Sequence, residues 1–130
     1  MTPFFDTKNL NIMKKEEYFE RAITWVKRRG FSTIRANHEE FDQPAHFTKP
    51  NEEEPYVPDI TGLRTGGKSY FEIATKPDDL NRRVSKWKLL ATMAGAKGGK
   101  LFLLAPRGFK AFAEKVVKSH NLNAKVVYLN

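Results

Sequence analysis

The stretch PDITGLRTGGKSYFEI, residues 58–73, decides how this chain folds. Apolar and β-branched residues stand on both sides of a glycine-containing turn, which is typical of an antiparallel hairpin. If the loop runs from residue 64 to residue 67 and Leu63 pairs with Lys68, counting outward places Asp59 directly opposite Glu72. Directly opposed residues point to the same face of a sheet. The sequence therefore predicts two carboxylates side by side.

The strands of this hairpin are expected at about residues 56–63 and 68–75. Because side chains alternate between the faces of a strand, Glu72 shares its face with Tyr70, Ala74 and Lys76. Two like charges side by side in a sheet are destabilising, so a compensating cation is expected. Hard oxygen ligands suit Mg²⁺ or Mn²⁺, and either ion is the predicted cofactor.

The rest of the chain predicts three helices and three further strands. Periodicity and breaker residues predict a first helix at residues 14–29 and a third at residues 106–118. The second helix is expected to be capped by Thr75, with Pro77 in its first turn. Strands are expected at residues 31–36, 101–105 and 125–129. The resulting order is α-β-β-β-α-β-α-β. A meander followed by crossover units implies an α/β fold with a mixed β-sheet flanked by helices.

The length of 130 residues predicts a single domain, residues 1–130. Within it, residues 1–13 are expected to be an N-terminal extension and residues 37–55 a long loop. A connection of that length in a small domain is usually mobile or functional, although residues 45–48 would also suit a short strand.

Composition limits the compartment and the partners. No cysteine is present, which excludes disulfides and thiolate metal sites. No long apolar run or signal-peptide core is found, so we expect a soluble, cytoplasmic protein with no membrane partner. The net charge of +8 comes from 23 Lys and Arg against 15 Asp and Glu. It favours a polyanionic partner, most simply nucleic acid, although many basic proteins bind none.

The Pro58-Asp59 dipeptide, Glu72 on the next strand and the element order together resemble the PD-(D/E)XK nuclease superfamily, which includes restriction endonucleases and Holliday-junction resolvases. The resemblance covers residues 16–129 as topology and implies a restriction-endonuclease-like core. It implies a metal-dependent DNA endonuclease that hydrolyses phosphodiester bonds, with Asp59 and Glu72 as metal ligands. Several relatives act as dimers, which makes a homodimer compatible with the resemblance, but no residue identifies an interface.

Two further parts of the family's site are less well defined in this chain. Family members often add a glutamate from the first helix, and Glu20 is the first candidate, with Glu16 closer to the helix's apolar stripe. Where the family has a lysine, two residues after the strand glutamate, this chain has Ala74. Lys76, on the same strand face, or Lys86, on the following helix, would then supply the positive charge.

Arg82, Arg83 and Lys86 would cluster on one helical surface, since residues three and four apart are neighbours. They are candidate nucleic-acid contacts, and a solvated helix face explains the spacing equally well.

Ala74 favours an alternative function, that of a catalytically inactive nucleic-acid-binding or protein-interaction module that retains the nuclease fold. A third alternative is an unrelated small α/β domain in which the carboxylate pair is coincidental.

Overall fold

The computed structural model describes the backbone of residues 7–129 and the side chains of residues 15–129. Within this part of the chain, three helices accompany a five-stranded sheet, and the predicted element order is confirmed. The elements are α1 (Thr7–Arg28), β1 (Ser32–Ala36), β2 (Ile60–Arg64), β3 (Gly67–Ile73), α2 (Leu80–Ala96), β4 (Leu101–Pro106), α3 (Lys110–Ser119) and β5 (Ala124–Leu129).

The sheet has the strand order β1-β2-β3-β4-β5 and is mixed, as predicted. Strands β1 to β3 pair antiparallel, and β3 to β5 pair parallel through the two helical crossovers. The predicted pairing of Leu63 with Lys68 is confirmed. The turn is shorter than expected, because Arg64 already pairs with Gly67. Thr65 and Gly66 form a two-residue turn with φ of 51° and 78°, the positive values that a type I′ hairpin requires.

Three helix boundaries differ from the prediction. Helix α1 begins at Thr7, inside the expected extension, because residues 7–13 contain neither glycine nor proline to interrupt it. Helix α2 begins at Leu80, and Asp79 rather than Thr75 caps it by accepting a hydrogen bond from the Arg82 N–H.

The third helix also begins later than predicted. Pro106 ends β4, and the chain then turns through Gly108, whose φ is 90°, before α3 begins at Lys110. A positive φ suits glycine because it has no Cβ to clash. Pro106 therefore belongs to the strand and not, as predicted, to the helix.

The long connection between β1 and β2 contains little regular structure. The short strand considered at residues 45–48 is reduced to one isolated antiparallel bridge between Phe47 and Tyr56. The Phe47 N–H donates to the Tyr56 carbonyl at 2.8 Å, and the Tyr56 N–H donates back at 2.6 Å. Tyr56 itself is buried. This bridge fixes the end of the loop beside the start of β2.

Hydrophobic residues cover both faces of the sheet. On the α1 face, the rings of Phe71 and Phe102 stack with centroids 5.1 Å apart. On the α2 and α3 face, Tyr70 and Ala74 pack with the fully buried Trp87. Burying one large apolar side chain contributes about 1.5–3 kcal/mol, so the two clusters hold the helices against the sheet. Among the described helices, none has the length and apolarity needed to cross a bilayer.

Candidate functional site

Asp59 and Glu72 lie side by side where the β2–β3 ladder ends. Ile60 pairs with Phe71 in the last ladder pair, so the next opposed positions are those of the two carboxylates. The Asp59 N–H donates to Oε2 of Glu72 at 2.7 Å. The Ile73 N–H donates to Oδ2 of Asp59 at 2.9 Å. Each side chain therefore binds the backbone of the opposite strand, which fixes both carboxylates in place.

Both carboxylates are almost completely removed from solvent, each residue being 1% exposed. Burying a charge is costly unless it is paired and hydrogen-bonded. One N–H donor per carboxylate does not neutralise two negative charges. The fold must therefore bring positive charge to this point.

Two lysines supply that charge. The ammonium nitrogen of Lys86, from α2, lies 2.9 Å from Oε1 of Glu72 and 3.9 Å from Oδ1 of Asp59. The ammonium nitrogen of Lys15, from α1, lies 2.9 Å from Oδ1 of Asp59. The two carboxylates and two ammonium groups balance in formal charge.

The titration behaviour follows from these contacts. Burial alone would raise the pKa of Asp59, but the charges of Lys15 and Lys86, with the hydrogen bonds from Lys15 and the Ile73 N–H, lower it below the ordinary value. Burial alone would lower the pKa of Lys86, but the charges of Glu72 and Asp59 and the hydrogen bond to Glu72 raise it. At neutral pH, Asp59 is therefore ionised and Lys86 protonated.

The structure brings Lys86 to the pair, whereas Lys76 is exposed and lies beyond the end of β3. Ala74 is fully buried and packs in the core on the α2 and α3 face. Its N–H donates to the Leu104 carbonyl at 2.8 Å. A lysine at position 74 would have its Cβ in a packed apolar environment. The positive charge reaches the carboxylates from Lys86 on α2 instead.

The first helix presents a lysine, not a glutamate, to the carboxylate pair. Glu20 is exposed and lines a groove of about 430 Å³ with residues of α1 and the end of β5. Glu16 lies 3.3 Å from Nε2 of His38. The sequence motifs do not single out Lys15, although it precedes the buried Phe19 by four residues and so follows the buried stripe of the helix.

The predicted nucleic-acid contacts on α2 already have partners within the protein. Arg82 lies 3.9 Å from a carboxylate oxygen of Glu52 and 3.7 Å from one of Glu54. It also donates to the Pro55 carbonyl at 2.9 Å and covers the Tyr56 ring. Arg83 donates to the Thr75 carbonyl at 3.1 Å.

A cavity of about 300 Å³ opens beside these contacts and reaches Lys86. Lys86 therefore lines the cavity and also contacts Glu72, whereas neither carboxylate of the pair lines the cavity itself. It is lined by Pro55, Tyr56, Val57, Pro77, Asp79, Arg82, Arg83 and Lys86.

Asp59 and Glu72 are the side chains of this site that would hold a divalent cation. Oδ1 of Asp59 and Oε1 of Glu72 contact ammonium groups, whereas the backbone N–H groups hold the other two oxygens. Mg²⁺ is commonly bound by one or two carboxylates together with water and substrate phosphates. Among the described residues, no cluster of three or more His, Asp or Glu forms a candidate metal site, so protein ligation would rest on Asp59 and Glu72.

Comparison of the chain with models of protein families, with curated proteins and with solved structures gives no match.

Proposed function

We propose that this chain is a metal-dependent DNA endonuclease with a restriction-endonuclease-like core. The observation that carries the proposal is the pair of buried carboxylates, Asp59 and Glu72, fixed by reciprocal backbone hydrogen bonds and sharing the ammonium group of Lys86. Such an arrangement stabilises the fold poorly compared with apolar residues of the same volume, because desolvating the charges offsets their attraction. Buried charges of this kind are a frequent property of functional sites.

In the proposed site, Asp59 and Glu72 would be the residues that hold Mg²⁺ or Mn²⁺. A bound divalent ion supplies Lewis acidity toward a phosphate oxygen and orients water. Lys86 acts as a fixed positive charge and hydrogen-bond donor near the scissile phosphate. Its raised pKa keeps it protonated at neutral pH, so it is unsuited to the role of general base.

The test is a cleavage assay on linear, circular, branched and single-stranded DNA, with Mg²⁺, with Mn²⁺ and with chelator. We expect metal-dependent cleavage by the wild type and its loss in Asp59→Asn and Glu72→Gln. Glu20→Gln is the control, since its exposed carboxylate is not brought to the pair. Cleavage of no substrate, or undiminished cleavage by Asp59→Asn, would remove the catalytic assignment. Circular dichroism establishes that each variant is folded.

The second candidate is a catalytically inactive nucleic-acid-binding module of the same fold. One observation favours it: Lys15 and Lys86 already neutralise the two carboxylates, so the charge balance needs no metal. Calorimetric titration separates the candidates. The endonuclease binds Mn²⁺ through Asp59, whereas the inactive module binds DNA without binding the metal.

A further inference from the structure

A second charged groove lies at the opposite end of the sheet from the carboxylate pair. It has a volume of about 330 Å³ and opens where α1 ends, the β2–β3 hairpin turns and β4 and β5 begin. Arg64 lies five residues beyond Asp59 in the sequence, about 17 Å at the rise of a strand. The groove combines four cations with three aromatic rings, namely Arg29, Arg64, Lys100 and Lys125 with Trp25, Phe31 and Phe102.

Contacts with the aromatic rings hold both guanidinium groups. The guanidinium of Arg29 lies 4.9 Å from the centroid of the Trp25 ring, and that of Arg64 lies 4.1 Å from the centroid of Phe31. Nη1 of Arg64 also donates to the Arg29 carbonyl at 2.8 Å. These ring faces are occupied by arginine, so a nucleobase has less room to stack on them. The guanidinium N–H groups remain suited to the oxygens of a phosphate.

The groove has no counter-charge from the described residues. No carboxylate lines it, and among the described side chains none of its four cations forms an ion pair. The α2 surface differs, since carboxylates contact both Arg82 and Lys86. Four like charges in one depression repel one another and raise the local concentration of anions. A bound polyanion relieves that repulsion.

We propose that this groove binds the phosphate backbone of DNA, as a contact site separate from the carboxylate pair. The choice of DNA as the occupant rests on the proposed function, whereas the anion site itself rests on its own residues. Because the contacts are to phosphates, binding is independent of base sequence and weakens steeply with salt.

The test measures binding of two unrelated short DNA duplexes in chelator, where metal-dependent cleavage does not occur, over a series of salt concentrations. The variant is Lys100→Gln with Lys125→Gln, both at exposed positions. The matched control is Lys115→Gln with Lys118→Gln, which removes the same charge from exposed positions of α3. We expect the groove variant to bind both duplexes more weakly and to reduce the slope of log K against log salt by about two, one for each phosphate contact.

Tryptophan emission gives a second readout. Of the two tryptophans, Trp87 is fully buried, so a change on binding reports on Trp25 in the groove. A groove variant indistinguishable from the α3 control overturns the proposal. Equal affinity of the wild type for poly-glutamate also overturns it, by identifying an acidic polypeptide as a competent occupant.

A parallel cleavage assay separates this proposal from the endonuclease proposal. If the wild type cleaves no DNA but the groove variant binds DNA more weakly, the groove proposal is supported and the endonuclease proposal is refuted. If the wild type cleaves DNA but the groove variant binds DNA as tightly as the wild type, the endonuclease proposal is supported and the groove proposal is refuted.

Discussion

The ammonium group of Lys86 contacts Oε1 of Glu72 at 2.9 Å, which joins α2 to the central strand of the sheet by a nearly buried ion pair. The side chains are 14% and 1% exposed. Neither charge would be stable at this position without the other. Local stability and the proposed activity therefore depend on the same contact.

Replacing Lys86 with methionine should destabilise the fold. The change leaves Glu72 buried without its ammonium partner, and removing one member of a buried pair costs about 3–5 kcal/mol. Urea unfolding measures the loss. Lys88→Met, at an exposed position of the same helix, is the control and should change little. Equal stability of the two variants would show that the contact contributes nothing.

Divalent metal should stabilise the Lys86→Met variant more than the wild type. In the wild type the ammonium group contacts the same oxygens, Oε1 of Glu72 and Oδ1 of Asp59, that a metal would use. Ligands that bind only the folded state raise its stability by mass action. Thermal unfolding with Mn²⁺ or chelator tests this expectation, with Asp59→Asn as the variant that should show little response. An identical shift in all three proteins would place the bound metal elsewhere.

The contribution of Asp59 to stability should disappear in acid. Because its pKa is lowered on folding, its contribution is present above the ordinary value of 3.8 and is lost as pH falls through the lower folded-state value. The difference in unfolding free energy between wild type and Asp59→Asn, measured in chelator, should shrink below pH 3.8. A constant difference down to strong acid would contradict the lowered pKa.

Lys86 should show the opposite dependence. Its pKa is raised on folding, so its contribution is complete below the ordinary value of 10.5 and is lost as pH rises through the higher folded-state value. The difference in unfolding free energy between wild type and Lys86→Met, measured by urea unfolding, should therefore stay constant at neutral pH. It should fall only above pH 10.5. A fall beginning near neutrality would contradict this.

The element order and the opposition of Asp59 and Glu72 could be predicted because both depend on local periodicity and on counting around one turn. The contact of Lys15 could not, because it depends on how α1 docks against the sheet, and nothing near residue 59 encodes that. The start of α2 differs from the prediction because Thr75 and Asp79 are both acceptable caps. Pro77 disfavours a helical conformation at the residue before it, Lys76, and the structure has no helix between residues 74 and 79.

Neutralising Glu52 and Glu54 should strengthen DNA binding. Both carboxylates lie within 4 Å of Arg82 and compete with phosphate for its guanidinium. In Glu52→Gln with Glu54→Gln, the slope of log K against log salt should steepen by about one. The control, Glu39→Gln with Glu40→Gln, removes the same charge from exposed positions of the same loop. If both variants gain the same affinity for DNA, the effect comes from net charge alone and not from the contacts of Arg82.

The carboxylate pair has a consequence for how the chain folds. Lys15 and Lys86 belong to helices that pack on opposite faces of the sheet, and each completes the charge balance of the strands between them. A partly folded species with a formed sheet but one undocked helix keeps a carboxylate without its full complement of positive charge. Such intermediates are high in free energy because they keep a buried charge without its partner. The helices on the two faces of the sheet should therefore form and melt together, and unfolding should be cooperative.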